Sequence, residues 1–574
     1  YSGAYGTNGF FIDGRDSSDL GDDESGNGND FASSGLAAAD QMPDTPTLNH
    51  WTLNFLDSGS GLANGNLQDL GGDSTHTHSP GFPITGKWYW EIVCTDINTG
   101  SVGAHFFAIT DASVAYSAGF TAAATISAGT QRGGQLKKNN SNTSTGTAIG
   151  DGDIVGMAFD ADNLTLDILV NNSASGSQIT GLTASRYKIW IQNGAAVTNM
   201  TFNFAEASFE YTPPTGFKSL NTSNMPTPTI KDGTKYFQTT LYEGDGSTQS
   251  IDQSGNSTFQ PDWVWIKNMD AGDSHVLTDS PRGVTKILST NNTDAETTDA
   301  DTVTAFESDG FALGADVKVN TSGESYVAWQ WHTQGAAGSS NTDGSINTTT
   351  TSLNATAGLS ISTYTGTGSN ATVGHGLGVA PSMIIAHRRD GTGSWRVYNK
   401  NLTDASYVLN MESTDAQGVS ATVWNSTAPT STVFSIGTNS EVNASSGTFV
   451  AYCFAEIEGY SQFGSYVANA AANGPFIYTG FKPAFIIFKC ITATRTYVMY
   501  DNARDPFNVV NDRLFPNTAD PNDPHASNDH VDFLSNGFKM RSAGTLLNAA
   551  GTYIFMAFAE NPFGGDGAAP GTAR

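Results

Sequence analysis

Three stretches of the chain share one pattern: FQPDWVWIK at Phe259–Lys267, VAPSMIIAH at Val379–His387 and FKPAFIIFK at Phe481–Lys489. In each stretch a proline precedes a run of hydrophobic residues, and proline is tolerated at the start or the edge of a β-strand. The three stretches therefore predict buried strands at equivalent positions of three repeated units.

A second phrase recurs later in each unit: GESYVAW at 323–329, GTFVAY at 447–452 and GTYIFMAF at 551–558. Together the two phrases place the units near 231–345, 346–460 and 461–565, which is about 105 to 115 residues each. Repeats of that length are as large as small domains. We therefore expect three related antiparallel β-sandwiches rather than a thin solenoid.

The region from about 49 to 215 also consists of short strand-like runs separated by turn residues. In LTLDIL at 164–169, apolar and polar residues alternate, which is typical of a strand with one buried and one wet face. The preceding Asp160–Asn163 is a hairpin turn by its composition, with a calcium site as the alternative interpretation. This region predicts a further β-sandwich.

Three motifs in this region, in this order, resemble the SPRY domain. They are GKWYWE at 86–91, GDGDIVGMAFD at 150–160, and FNF at 202–204 followed by YTPPTGF at 211–217. The resemblance covers about 165 residues and implies a concanavalin-like jelly-roll sandwich of two antiparallel sheets. Loops of such sandwiches bind proteins or sugars without doing chemistry.

Nearly the whole chain resembles large structural proteins of marine bacteriophages. The phrases that carry this resemblance are GFFID at 9–13, SGNGND at 25–30, TYTGTG at 363–368 and GHGLGVAP at 374–381. The resemblance implies an extracellular virion component. We expect a tail-fibre or spike-type appendage that attaches to a host-cell surface glycan or protein, forms a homotrimer and contacts other virion proteins.

The organisation predicted from these features is all-β. The segments are an acidic Gly/Asp-rich segment (1–48), a SPRY-like sandwich (49–222), a Pro-rich linker (223–235), sandwich repeats at 236–345, 346–460 and 461–566, and a C-terminal tail (567–574).

The composition excludes some classes of partner. Lys and Arg number 26 against 55 Asp and Glu, a net charge of −29, which repels phosphate backbones and anionic lipids. We therefore expect no nucleic-acid partner.

No run approaches the roughly 18 apolar residues of a membrane span, so we expect no membrane insertion. The 3 cysteines are too few for a disulfide framework. Cys94 and Cys453 lie in strand-like runs and are predicted to be buried. The chain opens at Tyr1 without a signal peptide, which indicates processing or a longer parent protein.

Two clusters are candidate metal ligands. The first, in the opening segment, offers many oxygen donors on a flexible frame, as Ca²⁺ requires: Asp22, Asp23, Asn27, Asn29 and Asp30. A solvated acidic turn is the alternative. In the second, His76 and His78 would face the same side of a strand and could bind one metal at a trimer axis. An exposed polar turn is the alternative there. We expect no other cofactor.

One stretch, from Asp505 to His525, departs from the other two repeats and reads as a long surface loop. Such loops carry function more often than scaffold segments do. The candidate ligand-binding residues of this stretch are Asn517, Asp520, Asn522, Asp523 and His525.

Catalytic motifs are missing from the sequence: there is no Gly-x-Ser-x-Gly, no His-Glu-x-x-His and no Cys-x-x-Cys. We therefore expect no enzymatic activity. Paired tryptophans such as Trp263 and Trp265 suit core packing, with a sugar-stacking surface as the alternative. The competing functions are a capsid decoration or spacer protein, a secreted bacterial adhesin and a glycan depolymerase.

Overall fold

The computed structural model describes residues 4–36, 41, 48–59, 61–72, 76–97, 105–114, 127–184, 186–194, 199–524 and 528–562. The chain folds into two compact units, Tyr1–Pro226 and Thr227–Arg574. The prediction of an all-β fold built from antiparallel sandwiches is confirmed, because nearly all regular structure is strand. Within the described residues, no helix has the length and apolar character that a membrane span requires.

The described part of the first unit contains a 3-10 turn, Phe55–Asp57, and a series of short strands. The strands are β1 Leu62–Ala63, β2 Gln68–Asp69, β3 His76–Gly81, β4 Lys87–Asp96, β5 Phe106–Asp111, β6 Ser127–Gln131, β7 Gln135–Lys138, β8 Ser141–Thr145, β9 Ile154–Asp160, β10 Thr165–Val170, β11 Ser173–Ala174, β12 Tyr187–Gln192, β13 Asn199–Asn203 and β14 Lys218–Ser219.

These strands form two sheets with strand orders β1-β2-β13-β4-β9-β10-β11, with β14 beside β4, and β3-β12-β5-β6-β7-β8. The sheets pack through aromatic side chains: Phe159 of β9 meets Tyr187 of β12 at 5.4 Å between ring centroids. Trp88 and Trp90 are buried, as predicted for core residues. Strands β9 and β10 pair as an antiparallel hairpin from Asp160 and Thr165, which confirms the predicted turn.

The second unit contains the three repeats, a 3-10 turn at Gly233–Lys235 and two one-turn helices, α1 Val317–Asn320 and α2 Ser440–Asn443. Repeat 1 has β15 Phe237–Glu243, β16 Gln249–Asp252, β17 Trp263–Asn268, β18 Val276–Asp279, β19 Lys286–Ile287, β20 Thr297–Thr298, β21 Val303–Glu307, β22 Gly310–Leu313 and β23 Ser325–Trp331. Repeat 2 has β24 Thr350–Asn354, β25 Leu359–Thr365, β26 Ala371–Gly374, β27 Met383–Arg388, β28 Arg396–Asn399, β29 Tyr407–Asn410, β30 Gly418–Val419, β31 Val433–Ile436 and β32 Thr448–Phe454. Repeat 3 has β33 Ser461–Ala468, β34 Phe476–Tyr478, β35 Phe481–Cys490, β36 Val498–Asp501, β37 Asp512–Arg513, β38 Asp523–Pro524, β39 Val531–Leu534, β40 Gly537–Met540 and β41 Gly551–Pro562.

Each repeat has one large sheet and one small sheet. The large sheets have strand orders β15-β23-β17-β18, β24-β25-β32-β27-β28-β29-β30 and β33-β41-β35-β36. The small sheets are β16-β22-β21, β26-β31 and β34-β40-β39, and two-stranded ribbons join β19 to β20 and β37 to β38. The first recurring phrase, which contains the proline, forms the central strands β17, β27 and β35. The second phrase forms the strand beside each of them, β23, β32 and β41.

Alternation along the central strands divides their side chains between two cores. In β17, Val264 and Ile266 pack into the core of repeat 1, whereas Trp263 and Trp265 point the other way, into a core common to all three repeats. The equivalent residues of the common core are Met383 and Ile385 in β27 and Phe485 and Ile487 in β35. Both faces of each large sheet are therefore buried, which explains why these strands are continuously hydrophobic.

Aromatic rings of different repeats meet in the common core. Trp263 of repeat 1 stacks on Tyr452 of repeat 2 at 4.6 Å, and Phe237 of repeat 1 lies 5.4 Å from Phe558 of repeat 3. Phe454 of repeat 2 meets Phe463 of repeat 3 at 5.7 Å. The three sandwiches thus surround one shared core and fold as one unit. The predicted boundaries between the repeats stay predictions.

A buried asparagine occupies the same place in each repeat. Its amide nitrogen donates to two loop carbonyls, and its oxygen accepts a backbone N–H from the loop after β15, β25 or β33. The three residues are Asn320, Asn443 and Asn548. Because an aspartate or a leucine could not both donate and accept these bonds, the position requires an amide side chain.

Candidate functional site

The three repeats contact one another in a closed ring. We call the contact region between two repeats a seam. At each seam a loop of one repeat donates a backbone N–H to the residue just after the central strand of another repeat. The three hydrogen bonds are Glu296 N to Arg389 O (2.9 Å), Gln417 N to Ile491 O (3.1 Å) and Asn522 N to Met269 O (2.8 Å). Repeat 1 docks on repeat 2, repeat 2 on repeat 3, and repeat 3 on repeat 1. This is the head-to-tail arrangement of a closed trimer, made within one chain.

A buried ion pair lies at the seam between repeats 1 and 2. Arg282 Nε donates to Asp279 Oδ2 at 2.5 Å, and the Tyr452 hydroxyl of repeat 2 donates to the same oxygen at 2.7 Å. The side chains of Asp279 and Arg282 are both fully shielded from solvent. Burial, together with the charge of Asp279, raises the pKa of Tyr452 well above 10. The tyrosine therefore stays a hydrogen-bond donor.

The seam between repeats 3 and 1 repeats this geometry. Arg504 Nε donates to Asp501 Oδ2 at 2.7 Å, and Trp329 Nε1 of repeat 1 donates to the same oxygen at 3.1 Å. In both seams the aspartate ends the strand beside the central strand, and the arginine follows three residues later. An aromatic donor of the neighbouring repeat completes each site.

At the third seam the equivalent positions carry no charge. Asn399 ends β28 opposite Met383, as Asp279 ends β18 opposite Trp263. Leu402 stands where the arginines stand, and Met556 replaces the aromatic donor. The Asn399 oxygen accepts from Asn401 at 2.9 Å, while its amide nitrogen is buried without a hydrogen-bond partner.

A buried nitrogen base is the second-to-last residue of each central strand. Lys489 Nζ donates to the Thr414 carbonyl of repeat 2 at 2.9 Å, and His387 Nε2 donates to the Asp294 carbonyl of repeat 1 at 3.0 Å. Burial lowers the pKa of Lys489 to about 8 and that of His387 to about 4. The third is Lys267, whose pKa burial also lowers to about 8. Lys489 and His387 thus bind carbonyls of a neighbouring repeat, whereas Lys267 donates to the carbonyls of Asn268 and Ala271 in its own repeat.

The predicted ligand-binding stretch lies against the seam between repeats 3 and 1. Asn517 accepts from the Thr496 hydroxyl at 2.6 Å, and the Asn522 oxygen accepts from Arg504 at 2.8 Å. Asp523 pairs with Arg513, and the charge of Asp520 acts on Lys267. His525 lies outside the described residues. These contacts hold the fold together, and the ligand-binding role of the stretch stays a prediction.

In the opening acidic segment, backbone groups occupy the candidate calcium ligands. Asp23 accepts from the N–H groups of Phe11 at 2.8 Å and of Asn29 at 2.9 Å. Burial would raise the pKa of Asp23, but these hydrogen bonds and those of Ser25 hold it well below its usual value. Asp30 accepts from Asp23 N at 3.1 Å.

The side-chain amides of Asn27 and Asn29 both donate to the Gly9 carbonyl, at 2.8 and 2.9 Å. Burial, followed by the charges of Asp30, Asp19 and Asp16, raises the pKa of Asp22. Among the described residues no group of three or more His, Cys, Asp or Glu is placed to hold a metal ion. The calcium site stays a prediction.

The histidine pair lies in β3, and the alternative prediction of an exposed turn is wrong. The His78 side chain is fully buried, its Nδ1 lies 2.9 Å from Asp57 Oδ2, and Lys188 Nζ lies 2.6 Å from the same oxygen. Burial, with the charge of Lys188, lowers the pKa of His78 to about 4. The His76 ring stacks on Trp190 at 5.8 Å. Sheet pairing with β12, whose Trp190 lies opposite His78, explains this burial. The metal-binding role of the pair stays a prediction.

Sequence reasoning missed the seam residues. The signal was present as an Asp followed three residues later by an Arg, in TDSPR at 278–282 and YDNAR at 500–504. Aligning the three repeats at their central strands would have shown that Asn399 and Leu402 take these places in repeat 2. Cys94 and Cys453 are buried, as predicted, and Cys490 is a buried free thiol as well.

A family model described as "Domain of unknown function (DUF7483)" matches residues 232–562, more than half of the chain. No curated protein matches the chain. One similar solved structure is the SPRY domain of human HERC1, which is 15% identical, covers 28% of this chain and 95% of that structure, and has a TM-score of 0.21. Another is the PSpry domain of TRIM65, which is 12% identical, covers 27% of this chain and 89% of that structure, and has a TM-score of 0.22.

Proposed function

The chain belongs to the family described as Domain of unknown function (DUF7483), and on that premise we propose that it is a bacteriophage virion appendage protein. It would be a tail-fibre or spike-type subunit that attaches to a host-cell surface without catalysis. The observation that supports this proposal best is the ring of three sandwiches around one aromatic core. Such a body holds its surface loops in fixed positions, as an attachment protein requires.

The polar groups of the second unit support a display role. At the seams, buried ionisable side chains contact one another or backbone carbonyls, as Asp279, Arg282 and Lys489 do. Side chains bonded in this way stabilise the contacts between the repeats. Surface loops of the sandwiches are then the parts that meet a host glycan or protein. Several linked copies would raise the avidity about 10²–10⁴-fold over a single weak contact.

The first unit fits the same proposal. Its sequence motifs are those of a SPRY domain, and it folds as two antiparallel sheets. We propose that it is a SPRY-type binding or connecting module. Homotrimerisation of the chain and contacts with other virion proteins complete the proposal. The mass of the purified chain in solution tests the trimer, since a single chain is 60.3 kDa.

Two measurements test the proposed function. Antibodies against the purified chain should label the appendages of phage particles in electron microscopy, whereas label over the capsid would favour a decoration protein. The purified chain should also bind immobilised polysaccharides from marine bacteria. A folded chain that binds none of them would favour the spacer role. Release of reducing ends would instead show a depolymerase.

A further inference from the structure

A lysine and an aspartate of the first unit meet where they are shielded from solvent. Lys188 Nζ of β12 lies 2.6 Å from Asp57 Oδ2 of the 3-10 turn, and the two side chains are 3% and 0% exposed. His78 Nδ1 of β3 contacts the same oxygen at 2.9 Å. Within the described part of the chain, the other carboxylate oxygen, Asp57 Oδ1, is buried without a hydrogen-bond partner.

Backbone hydrogen bonds hold the aspartate in this position. On either side of Asp57 the chain bonds to β3, because Asn54 N and Gly59 N donate to carbonyls of that strand at 2.7 and 2.8 Å. Lys188 is fixed by the pairing of β12 with β3 and β5. The amine and the carboxylate are therefore held in contact by two separately anchored parts of the chain, 131 residues apart.

This pair differs chemically from the buried ion pairs of the second unit. Asp279 and Asp501 pair with arginines, and a guanidinium stays protonated and does not act as a nucleophile. A lysine amine becomes a nucleophile once it loses a proton, and burial favours its neutral form. The choice of Lys188 as the buried cation therefore places a nucleophile against a carboxyl group.

The proton that the amine must lose has an acceptor in place. Burial would raise the pKa of Asp57, but the charge of Lys188 lowers it, so the pair rests as two ions. Transfer of one proton along the 2.6 Å contact from Nζ to Oδ2 gives a neutral amine and a neutral carboxylic acid. That transfer removes two buried charges, each of which costs free energy to keep away from water.

We propose that Lys188 and Asp57 condense to an isopeptide bond. Lys188 Nζ attacks Cγ of Asp57, the N–C bond forms, the Cγ–Oδ2 bond breaks, and Oδ2 leaves as water. Both hydrogens of this water come from the ammonium group, one directly and one by way of His78 Nδ1, which contacts the departing oxygen. The third hydrogen stays on the amide nitrogen, so the step needs no oxidant, reductant or co-reactant. Fixed contact between the two groups supplies the high effective concentration that the reaction requires.

The bond changes both the energetics and the topology of the first unit. Oδ1 becomes a neutral carbonyl oxygen, which costs less to bury without a donor than a carboxylate oxygen does. The closed loop contains strands β1 to β11, so a pull on the ends of the chain cannot extend them. The inference concerns the covalent structure of the first unit alone and does not depend on the proposed attachment function.

Mass spectrometry of the full chain tests the bond. The folded chain should be lighter than its sequence by one water, and trypsin should yield peptide 16–87 joined to peptide 187–218, without cleavage after Lys188. Lys188→Arg keeps the positive charge but removes the amine, and this variant should have the full mass of its sequence. Lys87 and Asp160 provide an internal control, because this pair is 2.8 Å apart but Lys87 is 38% exposed. Trypsin should cleave normally after Lys87.

An intact mass equal to that of the sequence would overturn the inference, even if Lys188→Arg does not fold. Loss of water without the joined peptide, as in a succinimide, would contradict it too, and so would a loss of water that persists in Lys188→Arg. His78→Gln should lower the linked fraction measured soon after synthesis. An unchanged fraction would overturn the transfer of the second proton through His78.

Discussion

Two of the seams in the second unit are charged and one is neutral. Asp279 and Asp501 each pair with an arginine and accept a hydrogen bond from an aromatic residue of the neighbouring repeat. Asn399 and Leu402 take these places at the third seam without a charge. Because a buried ion pair recovers little more than its own desolvation energy, neutral residues of similar size can replace it. The ring therefore requires a filled seam and does not require a charged one.

The largest effect should follow from removing half of a charged pair. Asp279→Ala leaves the buried Arg282 with only the more distant Glu296 carboxylate, and we expect a loss of about 3–5 kcal/mol in the free energy of unfolding. Asn399→Ala, the matched change at the neutral seam, should cost no more than about 1–1.5 kcal/mol. Urea unfolding followed by tryptophan fluorescence measures both. Equal losses would mean that the two kinds of seam do not differ.

The second-largest effect on stability should come from changing the size of a side chain in the common core. Ile361→Thr gives repeat 2 the threonine that repeat 1 has at the equivalent position, Thr239. The change should lower the free energy of unfolding by about 2–4 kcal/mol, because it leaves a void beside a buried hydroxyl. The reverse change, Thr239→Ile, should stabilise the chain by about 1 kcal/mol. The same urea measurement applies to both. A destabilising Thr239→Ile would show that repeat 1 cannot accept the side chain of its neighbour.

Glu296 makes the charged seam between repeats 1 and 2 sensitive to acid. Its carboxylate accepts from Arg389 Nε at 2.8 Å and lies 3.3 Å from Arg282 Nη1. Burial would raise the pKa of Glu296, but the Arg389 hydrogen bonds and the charges of both arginines lower it below its ordinary 4.5. The carboxylate therefore contributes stability above pH 4.5 and loses it as the pH falls through the lower pKa of the folded state.

Glu296→Gln should accordingly cost about 1–2 kcal/mol at pH 7, and the difference from the parent chain should shrink as the pH falls below 4.5. Unfolding midpoints between pH 3 and 7 measure this. Gln417→Glu at the equivalent neutral-seam position offers a control, because no arginine corresponds to Arg389 there: residue 491 is Ile491. A gap that does not depend on pH would contradict the assignment.

Much of the fold could be predicted from local pattern. The proline-led runs and the period-two alternation identified the strands, because burial of alternate side chains is a local consequence of strand geometry. The hairpin at Asp160 followed from turn chemistry. The pattern could not show which residues pack against the second face of strands such as β17. Trp263 and Trp265 read as core residues, but their core is shared by repeats more than 100 residues apart.

The sites were harder for the same reason. Asn517 and Asn522 read as loop residues, yet their roles are set by Thr496 and Arg504, which only the fold brings close. His78 read as part of a turn, because nothing near it in the sequence shows that Asp57 and Lys188 will surround it.

The smallest effect should come from converting the neutral seam into a charged one. The triple change Asn399→Asp, Leu402→Arg and Met556→Tyr gives the third seam the residues of the first. Because the gain from the new pair is offset by its desolvation, we expect the free energy of unfolding to stay within about 1 kcal/mol of the parent value. Asn399→Asp alone should cost several times more, since its carboxylate would be buried beside Leu402 without a cation. Urea unfolding of both variants measures this, and a triple variant as unstable as the single one would show that the pair depends on more of the seam than these three positions.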